Sequence, residues 1–464
     1  MNDLIYASAT TIANSIKTKE VSSEEVVNAH LERIEEINPK LNAIVQSTAA
    51  EARREARHAD SLLTKGEIKG PLHGVPITIK DNIETAGVIC TSGTKGREKF
   101  IPTEDATVVK RLRDAGAILL GKTNLPELGL AFESDNLVYG KTCNPYDLSC
   151  TSGGSSGGEA AIIASGGSPL GMGNDLGGSI RIPSHFCGTA GIKPNSGRFP
   201  RTGHFLPPGG AIDNWWQVGP MARFVEDLML VMPILYGVDW RDPGVIPVPL
   251  GDPKKVDVKK LNVSFHTDNG IITPIPEIVD TVSKAANVLS DIGLNVEENR
   301  PPGIEQAFDI FMGFMGADGG AMVSTALELA GTTEISPLIQ KVQDMTGDRG
   351  ISTAEFGSLA FGLDIFRSMM LSFMQNYDVI ICPVNAFAAL KHGISYDEDV
   401  LPAFTYTWTY NLTGWPSAVV RGGTSEEGLP IGVQIVSQPW REDVALAVAQ
   451  IIESELGGWE APPL

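Results

Sequence analysis

The chain has 464 residues, 42% of them hydrophobic and 20% charged, enough for a sizeable buried core and, by length alone, about three domains. Its formal net charge of -20 argues against a nucleic-acid partner or an anionic membrane surface, because phosphates are bound by basic faces. The five cysteines (Cys90, Cys143, Cys150, Cys187 and Cys382) are scattered without CxxC spacing. They read as reduced thiols of a cytoplasmic protein, not as a disulfide framework or a zinc site.

The first residues, Met1 to Tyr6, carry no basic segment ahead of an apolar run, so no secretory leader is expected. Ser22 or Ser23 caps a helix with Glu24 and Glu25 in its first turn; Val27, Leu31 and Ile34 share one face, and Pro39 is expected to end it. A strand over Val75–Ile79, a helix over Thr107–Ala115 stopped by Gly116, and a buried strand over Ala117–Leu120 follow. Ala160–Ser165 reads as a short helix of small residues and Pro169–Gly173 as the next strand. The apolar run Leu228–Met232 is cut by Pro233, so no membrane span is expected. Asp239 to Asp257, rich in proline and glycine, is the best candidate boundary. Beyond it come a strand at Leu261–Phe265, a helix at Pro276–Ile292, and strands at Leu294–Val296, Tyr377–Ile381 and Ile431–Ile435. Strands alternating with helices predict an α/β layered fold with a largely buried sheet.

Two motif matches fail on their mechanics. Gly116–Thr123 has the spelling of a phosphate-binding loop, but its middle residues form an apolar strand where exposed N–H groups would be needed. Gly153-Gly154-Ser155-Ser156-Gly157 satisfies the nucleophile-elbow pattern, which requires an acid and then a histidine downstream. None of His185, His204, His266 and His392 has a telling context. No histidine–carboxylate cluster suggests a metal.

Three other residues belong together. Lys80 ends the apolar strand Val75–Ile79, while Ser155 and Ser179 lie in the glycine-dense runs Ser152–Gly158 and Asn174–Arg181. Each feature alone has an ordinary reading, a snorkelling lysine or a tight turn. Together they suit serine acyl transfer without histidine. Ser179 is the candidate nucleophile, and Gly177 and Gly178 allow backbone N–H groups to approach an oxyanion. Neutral lysine at pH 7 costs about 4.6 kcal/mol, which burial can offset by depressing the amine's pKa. Ser155 can pass the proton between Ser179 and Lys80.

The chain resembles the amidase signature family, whose Ser–Ser–Lys pattern matches Ser179, Ser155 and Lys80, spaced 75 and 24 residues apart. The strongest similarity spans about 72–223, through Gly219-Pro220-Met221-Ala222-Arg223. Weaker similarity reaches Asn411–Pro416 and Gly428–Gln434, so it covers nearly the whole chain. The resemblance implies a mixed β-sheet core sandwiched between layers of helices. It implies one amidase domain over residues 1–464, whose half at about 240–464 is the more variable, substrate-facing one. It also implies a cis peptide bond at Ser155, an oxyanion hole of the Leu176, Gly177, Gly178 and Ser179 amides, and supporting roles for Ser156, Asp175 and Arg181. No cofactor and no metal is implied.

Glu159 and Ile182–Gly188 look more like fatty acid amide hydrolase and its relatives than the A subunit of glutamyl-tRNA amidotransferase. The expected reaction is cleavage of a linear amide to acid and amine through a Ser179 acyl-enzyme, with esters and carbamates accessible to the same machinery. The alternatives are that amidotransferase chain or a non-enzymatic ligand-binding relative. Apolar residues abound at Phe311-Met312, Phe314-Met315, Phe404, Tyr410 and Trp415, and Trp215, Trp216, Phe314, Tyr406 and Trp408 are the candidate pocket residues, with Tyr406 and Trp408 on one face of a strand. The partner is a small-molecule amide; oligomeric state is open, a homodimer included.

Overall fold

The computed structural model describes residues 2–464. Among these, eleven strands form one mixed sheet: β1 (Ile44–Ser47), β2 (Pro76–Lys80), β3 (Ile118–Thr123), β4 (Leu170–Asp175), β5 (Ala190–Lys193), β6 (Gln217–Ala222), β7 (Asn262–Phe265), β8 (Asn295–Glu298), β9 (Val379–Pro383), β10 (Ser417–Thr424) and β11 (Pro430–Ser437). Their order is β1-β3-β2-β4-β6-β5-β10-β11-β9-β7-β8. The pairs β2–β3, β2–β4, β7–β8 and β7–β9 are parallel and the remaining pairs antiparallel. The irregular stretch around Asp239–Asp257 does not interrupt this sheet, which runs from β1 to β8 through strands on both sides of it.

Strand alternation divides the side chains between two faces. Ile77, Ile79, Leu170, Met172, Ala418, Val420, Val433 and Ile435 point into one large apolar core, shared with Val225, Leu228, Val282, Leu289, Val444 and Val448 from helices. The intervening residues face the other way. Ile380, Cys382, Val419 and Val436 enter an aromatic core with Phe311, Phe366 and Trp408. The helices Ser23–Leu41, Ala49–Thr64 and Gly157–Ala164 cover the β3 end through Val27, Leu31, Ala52, Ile162 and Ile163. On β2 and β4 this second face carries Thr78, Lys80, Gly171, Gly173 and Asp175 in place of an apolar row.

The first long helix begins where its sequence signals. Ser22 Oγ accepts from the Glu25 N–H at 3.1 Å, and Glu25 Oε2 accepts from the Ser22 N–H at 2.8 Å, a reciprocal cap. Its end differs from expectation. The helix continues past Pro39 to Leu41, and Asn42 closes it in the left-handed conformation at φ 52°. Pro39 removes one N–H near the terminus, where packing of Ile37 and Leu41 outweighs that loss. Tyr406 and Trp408, expected on one face of a strand, lie in the helix Thr405–Leu412, every residue of which is buried. Alternating threonines and aromatics favour a strand locally, but burial on all sides removes the choice of face that alternation signals.

Candidate active site

Lys80 is the last residue of β2, and its side chain projects from the sheet face opposite Ile77 and Ile79. It is fully buried. Its Nζ lies 2.6 Å from Ser155 Oγ and 3.0 Å from Ser156 Oγ. Burial pushes the lysine pKa well below its ordinary 10.5, with Asp175 and Glu159 opposing the shift from nearby. Ser156 Oγ also donates to the Asn174 carbonyl at 3.3 Å. The peptide bond between Gly154 and Ser155 is cis, the isomer that the family resemblance implies.

The nucleophile candidate comes from the next turn. Ser156 N–H donates to the Ser179 carbonyl at 3.1 Å, which ties the two serine segments together. Lys80 and Ser155 are at 0% exposure while Ser179 keeps 5%, so Ser179 is the one that faces open space. Gly178 has φ 114°, and a Cβ there would strike Thr407. Gly173 matters for room. A Cβ at that position would sit 2.7 Å from Ser156 Oγ, and one at Gly171 would overlap the Glu159 carboxyl. These two strand glycines, which sequence reasoning missed, clear the sheet surface on which the serine and the glutamate rest.

Asp175 and Arg181 form a fully buried pair at 2.9 Å. Burial would raise the Asp175 pKa, yet the Arg181 guanidinium and the Asn411 amide hold its carboxyl below the ordinary carboxylate range. Its oxygens also accept from the Gly178 N–H at 2.8 Å and the Ile180 N–H at 3.2 Å. The four amides expected as oxyanion donors therefore differ in their partners. The Gly178 amide is already committed to Asp175, which leaves Leu176, Gly177 and Ser179 as the amides of that set nearest the cavity. Arg181 further donates to the Thr407 carbonyl at 3.0 Å and to Gln434 Oε1 at 2.7 Å, and Thr407 Oγ1 donates to the Gly177 carbonyl at 2.9 Å. Asn411, Thr407 and Gln434 thus clamp the Asp175–Arg181 turn from 226 to 253 residues away along the chain.

Ser179 opens on a cavity of about 60 Å³ whose walls include Phe132, Leu176, Phe311, Met315, Met345 and Trp408. Of the five pocket candidates only Trp408 lines it. Its indole stacks on Phe311 at 4.2 Å and 14°, and its buried N–H has no partner. Trp215 lies behind, packed against Phe311 and edge-on to Phe314. Phe314 faces a neighbouring cavity with Met322 and Phe356. Trp216 sits on the other core with His204 at 4.6 Å and Arg201 at 4.7 Å. The Tyr406 hydroxyl donates to the Ile272 carbonyl at 2.8 Å, turned away from Ser179. All four are buried in hydrophobic cores, Phe314 at the edge of that second cavity, and nothing in their local sequence distinguishes a wall from a core. Methionines, flexible and unbranched, were the better signal: Met312, Met315 and Met345 all reach the cavity.

The residues of the two failed motifs have other partners. Lys122, from the phosphate-loop match, is a buried residue of β3 whose Nζ binds the Ile83 carbonyl and Thr85 Oγ1. His185 bonds to the Phe387 carbonyl at 2.9 Å and accepts from Gly432 N–H at 2.7 Å, His204 bonds to the Leu206 carbonyl at 2.9 Å, and His266 to the Asp268 carbonyl at 3.1 Å. His392 lies 4.0 Å from Glu133. None of these bonds goes to a serine.

The large mixed sheet flanked by helices, with a serine- and glycine-rich turn set against a buried lysine, defines the class. The family profile described as Amidase matches residues 25–446, and the chain belongs to the amidase signature family as a hydrolase of amide carbon–nitrogen bonds. It is 35% identical to "Fatty-acid amide hydrolase 2-A" of Danio rerio over 99% of this chain and 91% of that one. It is 30% identical to the A subunit of the glutamyl-tRNA(Gln) amidotransferase of Heliobacterium modesticaldum, covering 95% of this chain and 94% of the other. The solved structure of a bacterial aryl acylamidase of the amidase signature family superposes with a TM-score of 0.85 at 28% identity, covering 97% of this chain and 96% of that one. Among the described residues, no single helix is long and apolar enough to cross a membrane.

Proposed function

We propose that the chain hydrolyses linear amides carrying an apolar group, through an acyl-enzyme on Ser179. Ser179 Oγ attacks the carbonyl carbon as its proton passes to Ser155 Oγ and the Ser155 proton passes to neutral Lys80. The oxyanion is held by the Leu176, Gly177 and Ser179 amides, with the Gly178 amide bonded to Asp175 so that the turn keeps its shape. Return of the proton through Ser155 to the leaving nitrogen releases the amine, and water repeats the route to release the acid. Esters and carbamates enter the same tetrahedral chemistry. The observation that carries this reading is Lys80: a fully buried amine whose Nζ is bonded to two serine hydroxyls and not to a carboxylate. A lysine so placed is a base in waiting.

The amidase relatives named above support small amides as substrates, and the apolar walls around Ser179 favour an aryl or alkyl group there. Five unpaired cysteines, four of them buried, support a cytoplasmic setting. The identity to an amidotransferase chain supports a second reading, ammonia supply within a larger assembly. Release of p-nitroaniline from acyl anilides by the purified chain alone, together with loss of fluorophosphonate labelling in Ser179→Ala, is the expected result. Failure of the purified chain to turn over any amide, ester or carbamate overturns the hydrolase reading.

A further inference from the structure

Glu159 is fully buried in the first turn of the helix Gly157–Ala164, three residues after Ser156. One of its oxygens accepts from Thr78 Oγ1, and the other accepts from Thr123 Oγ1 at 2.6 Å. Thr78 shares a strand face with Lys80, and Thr123 is the register partner of Lys80 across β2 and β3. Gly171, on the other side of β2, has no side chain where the carboxyl rests. The fold therefore builds a dedicated seat for a carboxyl on the face from which Lys80 projects, and both of its hydrogen-bond donors are uncharged.

The other charged groups around Lys80 are each accounted for. Asp175, from β4, is bound by Arg181 at 2.9 Å. Asp81, the next residue in the chain, accepts from the Thr91 hydroxyl at 2.6 Å and from its N–H at 3.0 Å. Lys122, from β3, acts on Glu159 only through its charge and is itself bound to the Ile83 carbonyl and Thr85. His204, which feels the Lys80 charge, is bonded to the Leu206 carbonyl at 2.9 Å. Of the two carboxyls whose charge acts on Lys80, Asp175 is paired with Arg181, whereas Glu159 has no cation bound to it.

We propose that Glu159 is a positioning residue that sets the charge on Lys80: the buried pair holds one proton between them, on the amine when Glu159 is a carboxylate and on Glu159 when the amine is free to take the Ser155 proton. Burial favours the neutral form of each group. It pushes the Glu159 carboxyl up to about 7 against the opposing pull of Thr123, Thr78 and the two lysines, and it pushes Lys80 down. Each charge acts on the other's ionisation, so the two groups ionise as a pair and the acid limb of the rate profile belongs to both.

The inference rests on the relay proposed above, and the pH profile of kcat/KM for an acyl anilide separates the two. Glu159→Gln keeps the size and hydrogen-bonding reach of the side chain but removes its charge. The acid limb is expected to move to lower pH by about one unit, the lower end of what a nearby opposite charge contributes. The plateau is expected to fall by less than about tenfold, because a less basic amine is a weaker general base. Thr123→Val removes one donor to the carboxylate and is expected to move the limb in the same direction by a smaller amount; it decides the matter if Glu159→Gln does not fold. A Lys80→Ala protein that remains active overturns the relay itself. A dead Lys80→Ala protein alongside unmoved limbs in the Glu159 and Thr123 variants overturns the role of Glu159 alone, since a merely structural residue would lower the plateau without shifting the profile.

Discussion

The surface of β2 and β4 and the wall of the cavity beside Ser179 are built from different materials. The first is a set of fixed polar groups fitted into gaps left by glycine, where Gly171 and Gly173 admit Glu159 and Ser156 and leave almost no freedom. The second is a wall of stacked rings and methionines drawn from the helices Ala307–Gly316, Pro337–Thr346 and Thr405–Leu412. The helix Thr405–Leu412 belongs to both, since Thr407 clamps the Gly177 carbonyl while Trp408 lines the cavity. The first region is held by backbone geometry and the second by adaptable packing, so substitutions in the two regions are expected to differ in kind.

The sharpest break is Ser179→Ala, which is expected to lower kcat by about 10⁴-fold or more without unfolding, as single-turnover kinetics with an anilide would read. Lys80→Ala is expected to cost about 10³-fold, whereas His392→Ala leaves the rate within about twofold; the opposite pattern would transfer the base to a histidine. In the unaltered protein the rate is expected to rise with pH along a limb far below 10.5, because burial depresses Lys80 and only its neutral form accepts a proton. A profile flat down to about pH 5 with chemistry limiting would contradict a lysine base.

Gly173→Ala tests the gap-fitting of the polar region. Its Cβ would stand 2.7 Å from Ser156 Oγ, so thermal unfolding is expected to show a loss of about 1–3 kcal/mol and kcat a fall of about tenfold. The smallest effects come from the wall. Trp408→Phe and Trp215→Phe both trim a tryptophan that is 1% exposed, yet only Trp408 lines the cavity. A change in KM of a few-fold across anilides of different acyl length is expected for Trp408→Phe, with KM unmoved for Trp215→Phe. Equal shifts in both would erase the distinction between wall and core.

Lys80, Ser155 and Ser179 stood out only as a set, because glycine density and a lysine ending an apolar strand each have ordinary uses alone; the structure bonds Lys80 to Ser155 and ties the Ser179 carbonyl to Ser156. The supporting roles of Asp175 and Arg181 came from the family resemblance, and the structure joins the two at 2.9 Å. The hydrogen bonds that hold this pair from Thr407, Asn411 and Gln434 were not legible, because no local pattern announces a partner 226 to 253 residues away. Trp215, Trp216, Phe314 and Tyr406 show the same limit from the other side: an aromatic ring carries the same signal whether it lines a cavity or fills a core.

Composition, strand alternation and glycine placement by themselves determined the α/β layering, the strand that delivers Lys80 and the turns that carry the serines, since each depends on the conformational preferences of adjacent residues. Only the tertiary structure decided which amides remain available beside Ser179, that Glu159 sits on the lysine's face of the sheet, and that residues 405–412 are helical. Those outcomes depend on which distant surfaces meet, and the free energy that selects them lies in packing and buried hydrogen bonds, which a linear pattern does not record.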